Sequence, residues 1–291
     1  MSNQISTAFV KQFTDGITLL AQQRGSRLRE GVTIDSGITG DRSFYDQIGA
    51  TAAVQKTSRH GDTPLVETPH SRRMLTLSDW EWAELISDAD KLKVLNDPTN
   101  AYSQHAAFAM GRTMDTVIRD AFFGTASTGV DGSGTAAFDT TNYRIAHGGA
   151  GLTIAKLREA REILESAENM EDKGEYQWYI AVTAHQKRDL LATTEVTSSD
   201  FNTVKALVGG SIEDFLGFKF VDYQGLALDS TTRSCPAWCK SSMKLGVGAE
   251  PKGDIGVRRD KSLDTQVYYQ MSIGATRLDE TGVVEVQCTE S

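Results

Sequence analysis

The side chains best suited to catalysis or metal binding are scattered along this chain. None of the histidines, which are His60, His70, His105, His147 and His185, has the spacing of a zinc-binding helix. Acidic pairs such as Glu171-Asp172 and Glu213-Asp214 occur, but exposed carboxylates are far commoner in proteins than catalytic ones. No group of residues combines a nucleophile, a base and an orienting residue. The sequence therefore predicts a protein that is not an enzyme.

The cysteines offer a weak metal signal. Cys235 and Cys239 form a C-x3-C pair, and Cys288 lies far along the chain. A structural zinc site needs four ligands, and no second pair supplies them. We expect reduced, partly buried thiols, with neither a metal nor a cofactor.

The segment from 124 to 151 is rich in glycine, serine and threonine, as phosphate-binding loops are. It lacks the Gly-Lys-Ser/Thr ending of a P-loop, and it follows a helical pattern where a P-loop would precede one. The stretch from Gly124 to Gly129 also lacks the spacing of a G-x-S-x-G nucleophile elbow. Neither nucleotide binding nor a serine nucleophile is predicted.

Composition and charge indicate a soluble protein that works where it is made, in a cytoplasm. The 291 residues are 39% hydrophobic and 24% charged. No apolar run approaches the roughly 18 residues that cross a bilayer, and the N-terminus does not read as a secretory signal. The net charge is −9, yet residues 1–80 carry +1 and the remainder −10. The front of one molecule could therefore lie across the acidic body of another, although charge scattered by chance remains open. The acidic surface argues against wrapping nucleic acid.

The elements that position these side chains are organised around a long helix, predicted over residues 98–123. Asp97 can cap it and Gly124 can end it. Its length would be about 39 Å. Asp115 and Arg119 are expected to form an i,i+4 pair on its outer side. Apolar residues recur at helical spacing, and these are Ala106, Ala109, Met110, Met114, Val117, Ile118, Ala121 and Phe122.

The front of the chain reads as segments that cannot be stable alone. Residues 5–22 form an amphipathic helix that must dock on a surface, and residues 24–41 a flexible or extended connection. Residues 42–82 resemble a two-stranded ribbon, with arms near 53–57 and 73–77 around a polar centre. Because a lone ribbon is barely stable, a neighbouring subunit is its expected support. Residues 80–96 are predicted to be helical.

The middle and the end of the chain predict an α+β lobe followed by strands. Thr153 can cap a helix, a buried strand follows over 176–183, and a helix over 184–191. A helix over 201–208 and a strand over 215–223 complete this lobe. Four strands follow, over 243–247, 255–259, 265–276 and 282–288. They are expected to return to the long helix and leave the lobe inserted.

In order, these features resemble the Hong Kong 97 fold of tailed-bacteriophage major capsid proteins, and the sequence is similar to its podovirus-type group. The match covers nearly the whole chain and is carried by short sequence phrases. They are Gln22-Gln23-Arg24-Gly25-Ser26-Arg27-Leu28, Asp46-Gln47-Ile48-Gly49, Arg59-His60-Gly61-Asp62-Thr63-Pro64, Arg72-Arg73, Asp97-Pro98 and Gly274-Ala275-Thr276-Arg277.

The resemblance implies an α+β capsid fold in four parts. These are an N-terminal arm (1–41), an extended β-ribbon loop (42–82), a peripheral domain (83–151 and 240–291, with spine helix 98–123) and an inserted axial domain (152–239). It implies hexamers and pentamers of this chain in an icosahedral virion shell around double-stranded DNA, which is enclosed without sequence-specific binding. A scaffolding protein, a portal at one vertex and an optional decoration protein are the implied partners. Candidate inter-subunit contacts are Phe9, Phe13, Arg24, Arg27, Arg29, Lys56, Arg59, His60, Asp62, Arg72 and Arg73.

Some members of the family seal the shell with Lys–Asn isopeptide bonds. Lys56 lies in the ribbon, but no asparagine follows Asn202, so a non-crosslinked shell is expected. Two alternatives remain: the subunit of an encapsulin-like nanocompartment, which shares the fold, and a cytoplasmic hydrolase with a lid ribbon.

Overall fold

A computed structural model describes residues 21–59, 61–87, 99–169, 177–192 and 213–290. The chain divides into two compact units. One comprises Arg27–Ser78, Met114–Gly248 and Ile273–Ser291, and the other Met1–Ser26, Asp79–Thr113 and Ala249–Ser272. The predicted amphipathic segment 5–22 lies almost wholly outside the described residues, as does the helix predicted over 201–208.

The long helix is confirmed as α1, Thr99–Phe123. Its apolar stripe is buried at Ala106, Met110, Met114, Ile118 and Phe122. The Gly124 N–H donates to the Asp120 carbonyl at 3.0 Å and closes the last turn. The predicted Asp115–Arg119 pair is wrong. Asp115 is fully buried, and its carboxylate accepts main-chain N–H groups from Arg27 and Leu28, whereas Arg119 contacts Asp120 and the Gly225 carbonyl.

A seven-stranded sheet forms the largest core, with strand order β7-β15-β12-β8-β10-β9 and β11 paired to β12. Its strands are β7 Arg144–Ile145, β8 Trp178–Val182, β9 Asp214–Phe215, β10 Phe218–Asp222, β11 Leu228–Asp229, β12 Thr232–Cys239 and β15 Val283–Thr289. The predicted strand over 215–223 is interrupted at Leu216 and Gly217, which have positive φ. Strand β12 was not predicted, and it pairs along its length with β15.

Two helices accompany this sheet, as predicted. In α2, Ile154–Ser166, the Thr153 hydroxyl accepts from the Lys156 N–H and caps the first turn. Helix α3, Ala184–Leu191, begins with a capping box between Thr183 and Gln186. Leu157, Ala160 and Leu164 form the buried stripe of α2.

The ribbon belongs to a four-stranded sheet of order β2-β3-β5-β6. Strands β2 (Arg42–Ile48) and β3 (His70–Thr76) are antiparallel, with Arg42 opposite Thr76 and Ile48 opposite His70. The hairpin β5 (Ala126–Thr128) and β6 (Gly134–Ala136) extends the sheet beyond β3. A ribbon is thus confirmed, but the arm placed at 53–57 is wrong because those residues belong to no strand.

The third sheet has the order β1-β13-β14-β4 and corrects two predictions. Its strands are β1 Thr33–Ser36, β4 Ser78–Ile86, β13 Met243–Val257 and β14 Thr265–Arg277. Residues 24–41 are not merely a connection, because β1 pairs with β13 and both Leu28 and Val32 are buried. The helix predicted from Trp80 is wrong over Trp80–Ile86, which is strand; residues 88–98 lie outside the described part. Pairing in the sheet overrides the helical propensity of Ala83, Glu84 and Leu85.

Candidate assembly interface

Hydrogen bonds fix the base of the ribbon to its own unit. The Tyr45 hydroxyl on β2 donates to the Asp35 carboxylate on β1 at 2.6 Å. The Leu278 carbonyl accepts from Gln47 Nε2 at 2.8 Å and from Arg73 Nε at 3.1 Å. The Lys244 ammonium lies 5.0 Å from the centre of the Tyr45 ring, within cation–π range. The ribbon therefore leaves the body in a defined direction.

The opposite face of the ribbon base carries a charged pair among apolar side chains. Arg72 contacts the Asp46 carboxylate at 2.5 and 3.2 Å, and it also donates to the Val130 carbonyl at 3.1 Å. Its guanidinium lies 5.5 Å from the centre of the Phe44 ring. Arg72 holds the pKa of the Asp46 carboxyl below its usual range by hydrogen bonding.

Beside this pair lies an open cleft of about 540 Å³. It is lined by Asp46, His70, Ser71, Arg72, Arg73, Thr128, Gly129, Val130 and Ala136. The glycine-containing turn between β5 and β6 packs on Met74: a side chain at Gly132, which has a φ of +78°, would collide with the Met74 sulfur. The cleft is therefore framed by β3 and by the β5–β6 hairpin.

Beyond its base, the ribbon is not packed against any other described part of the chain. All described residues from 49 to 69 are exposed, and they include the apolar Val54, Leu65 and Val66. Leu65 is 96% exposed. Of the predicted contact residues, Lys56, Arg59 and Asp62 lie on this exposed stretch, and His60 is outside the described residues.

The arm contacts α1 through main-chain and side-chain hydrogen bonds. Within one unit, Gln22 accepts from Arg112 Nη1 at 2.7 Å and lies 3.4 Å from His105 Nδ1. Gly25 approaches Gly111 so closely that a side chain at Gly111 would collide with the arm's main chain. Gly111 on the helix, which has no side chain, thus permits direct contact between two backbones.

Within the other unit, Asp115 of α1 holds the arm where it enters the core. Its carboxylate accepts from the Arg27 N–H at 2.8 and 3.0 Å and from the Leu28 N–H at 2.9 Å. Three residues later, the Gly31 carbonyl accepts from Trp238 Nε1 at 2.6 Å. The arm is therefore anchored from residue 27 onward.

The predicted contact residues that the structure describes lie on different segments of the chain. Arg24 and Arg27 are exposed, and Arg29 is half-buried. Arg72 and Arg73 are adjacent on β3. Phe9 and Phe13 lie outside the described residues. Sequence reasoning missed Tyr45 and Asp115, whose partners are distant in sequence.

The cysteines are free and buried in the described core. Hydrogen bonding to Cys288 and burial both raise the pKa of Cys235. Among the described residues, no three His, Cys, Asp or Glu side chains are grouped as metal ligands would be, and no helix is both long and apolar enough to span a membrane.

Comparison with known proteins decides the family. A profile of the phage capsid protein family matches residues 5–290. The chain belongs to this family. No curated protein sequence matches it significantly. Its mixed fold of helices and strands is the Hong Kong 97-type capsid fold, and the protein is a structural major capsid protein of the virion.

Solved phage structures share the fold at low sequence identity. One from Mycobacterium phage Che8 is 15% identical, with a TM-score of 0.72, and the match covers 96% of this chain and 97% of that one. The cyanophage Pam1 capsid asymmetric unit is 13% identical, with a TM-score of 0.72 and 97% of each chain covered. The head structure of Helicobacter pylori bacteriophage KHP40 is 11% identical, with a TM-score of 0.69 and coverage of 96% and 97%.

Asp115→Ala in this capsid protein is expected to loosen the arm. The Arg27 and Leu28 N–H groups would lose their acceptor, so the free energy of unfolding should fall by about 2–3 kcal/mol. Limited tryptic digestion should cut faster at Arg27 and Arg29. Asp120→Ala is the matched control on the same helix; its exposed pair with Arg119 should contribute less than about 1 kcal/mol. Equal effects of the two variants would contradict this role for Asp115.

Tyr45 is expected to titrate late and to report on the ribbon base. Burial and the hydrogen bond to Asp35 raise its pKa from 10.0 to about 12. A folded-state pKa above the unfolded value means that the contribution to stability is complete below pH 10 and is lost as the pH rises to about 12. The ultraviolet absorbance of phenolate should show one of the eight tyrosines titrating near pH 12, and Tyr45→Phe should remove that step. Asp35→Asn should shift it toward 10; an unshifted step would exclude Asp35 as a cause.

Proposed function

We propose that this capsid protein associates into hexamers and pentamers that form an icosahedral shell around packaged phage DNA. The exposed ribbon carries the proposal. Residues 49–69 are held on a fixed base, yet their apolar side chains contact water in the single chain. A neighbouring subunit that covered them would gain the free energy of apolar burial, about 25 cal/mol per Å².

The parts of the chain would then have separate roles. The arm (1–41) and the extended loop (42–82) make contacts between subunits. The peripheral domain (83–151 and 240–291) carries the spine helix, and the axial domain (152–239) lies near the symmetry axis of each capsomer. The Asp115 anchor supports this assignment because it holds the arm on the spine helix. Many such contacts per subunit would make the closed shell persistent even where each is weak.

We further propose that the protein is not an enzyme and that it assembles with a scaffolding protein and a portal, in the cytoplasm of a bacterial host. The shell would enclose DNA without sequence-specific binding. The net charge of −9 also argues against tight binding to phosphates, which requires many cations. A decoration protein is an optional partner on the outside. Residues 1–80 of one subunit, which carry a net charge of +1, would lie across the acidic remainder of the next subunit.

The shell is proposed to be held without covalent links between subunits. Lys56 is exposed on the ribbon, but no asparagine follows Asn202 to serve as a late acceptor. Denaturing gel electrophoresis of intact particles should show a single band at the mass of the subunit, 31.7 kDa. A ladder of covalent multimers would contradict this proposal.

Electron microscopy and size-exclusion chromatography of the protein expressed in bacteria test the main proposal. Closed shells, or rings of five and six subunits, are the expected products. A protein that stays a 31.7 kDa monomer at all concentrations, with or without the phage's scaffolding protein, would overturn it.

A further inference from the structure

Leu65, which lies five residues before strand β3, is the most exposed of the large apolar side chains that the structure describes, at 96%. Pro64 precedes it and Pro69 follows four residues later, which restricts the backbone on both sides. The ribbon is closed at its neck, where the Gly49 N–H donates to the Pro69 carbonyl at 2.8 Å. Leu65 is thus held away from the body on a restricted segment.

The cleft at the ribbon base has the complementary character. Two arginines line the cleft, and both have hydrogen-bond partners: Arg72 pairs with Asp46, and Arg73 donates to the Leu278 carbonyl. Thr128, Val130 and Ala136 provide an apolar part of the wall, and Val130 is 82% exposed. Because its cations are already satisfied, the cleft suits an apolar side chain better than an anion.

Leu65 does not fill the cleft of its own chain, because its side chain is 96% exposed. A Leu65 side chain that fills this cleft would therefore come from another copy.

We propose that Leu65 of one copy packs into the ribbon-base cleft of the next copy. This rests on the proposed shell function and specifies one of its contacts. Glu67 lies two residues from Leu65, on the same side of an extended chain, and it would approach His70 on the rim, away from the paired Arg72. Each ribbon then carries both the inserted side chain, Leu65, and a cleft that receives Leu65 of another copy.

Such a contact is heterologous, because the two surfaces are different. Heterologous contacts run head to tail, and they close into a ring when the rotation between copies allows it. Contacts from Leu65 of each copy to the cleft of the next would therefore link all subunits of a capsomer in a cycle, whereas a two-fold contact would stop at pairs.

Disulfide trapping tests this arrangement in assembled protein. Leu65→Cys and Val130→Cys would be introduced together and oxidised mildly; the native cysteines are buried. The expected result is a ladder of covalent multimers ending at rings of five and six. A mixture of the two single variants should give dimers only, and Leu65→Cys alone should give none. Shells that form normally without these bonds would overturn the contact but leave the shell function standing. Dimers from Leu65→Cys alone would show that Leu65 packs on Leu65 of another copy, which would also overturn it.

A substitution pair gives an independent measure. Leu65→Asp should raise the subunit concentration needed for assembly by about tenfold or more, since one buried leucine is lost from each contact. Leu65→Met keeps an apolar side chain of similar size and should assemble as the wild type does. Equal assembly of Leu65→Asp and wild type would overturn the proposal.

Discussion

Arg277→Leu is expected to lower the free energy of unfolding by about 4 kcal/mol, because it removes a buried charge that several carbonyl groups depend on. The Arg277 side chain is fully buried. Its Nη1 donates to the Phe122 carbonyl at 2.7 Å and to the Gly124 carbonyl at 2.9 Å, and its Nη2 reaches the Ala136 carbonyl at 3.4 Å. The guanidinium lies 5.3 Å from the centre of the Phe138 ring.

The location explains the size of the effect. The last carbonyls of a helix have no partner within the helix and carry the negative end of its dipole. Arg277 on β14 supplies donors to the end of α1 and also to β6, so one side chain joins three elements. Leucine fills similar space but leaves these carbonyls unpaired, and an unpaired buried polar group is costly.

Urea unfolding followed by tryptophan fluorescence measures the change, since the Trp238 ring centre lies 4.6 Å from that of Phe122, at this end of the helix. Arg277→Lys should lose less than Arg277→Leu, because an ammonium keeps the charge but lacks the planar fork. Arg258→Leu is the matched control: its pair with Asp260 is exposed to solvent and should contribute little to stability. A loss from Arg277→Leu no greater than the control would refute the role.

The parts of the fold that follow from local spacing could be predicted from the sequence. The apolar repeat of α1, the Thr153 cap of α2 and the continuous apolar strand at 178–182 are all signals within one segment, and all three are present. The parts that depend on distant partners could not. Asp115 has the correct spacing for Arg119, but its carboxylate binds main chain 87 and 88 residues earlier.

Strand β12 shows why some elements escape sequence reasoning. Pro236 lies in its middle, and proline argues against a central strand because it cannot donate to the ladder. In the structure, β8 pairs only with Ala237–Cys239, so Pro236 lies just beyond that ladder. The register between strands, which local sequence does not specify, makes the proline acceptable.

The ribbon was predictable in kind but not in detail. Alternating residues and a polar centre indicated a ribbon, and the phrase Arg72-Arg73 marked its second arm. Their different partners, Asp46 for Arg72 and the Leu278 carbonyl for Arg73, depend on alternation across the strand and on a segment more than 200 residues away. The cleft also depends on the β5–β6 hairpin, which the sequence presented only as a loop rich in glycine.

Lys156→Met is expected to lower the free energy of unfolding by about 3–4 kcal/mol, because it removes a buried ammonium that several main-chain carbonyls surround as they would a bound cation. Lys156 is 7% exposed. Its Nζ lies 2.8 to 2.9 Å from four main-chain carbonyls, those of His147, Ala150, Gly151 and Gln287. Burial lowers the pKa of Lys156, and the four carbonyl oxygens oppose this by taking the place of water around the ammonium. Lys156 is the third residue of α2, where the helix dipole disfavours a cation. A lysine at this position was the one local sign in the sequence that its ammonium has a structural role.

Methionine matches the length of lysine and its apolar stem, so the packing of α2 should survive in Lys156→Met while the carbonyls lose their donor. The loop from 147 to 151 and strand β15 would then no longer be joined through α2, and hydrogen exchange should accelerate at both. Lys219→Met is the matched control, because Lys219 forms an exposed pair with Glu30 whose loss should cost less than about 1 kcal/mol. If Lys156→Met proved as stable as Lys219→Met, the Lys156 ammonium would contribute nothing to stability. The apolar packing of α2 alone would then have to hold the loop against the sheet.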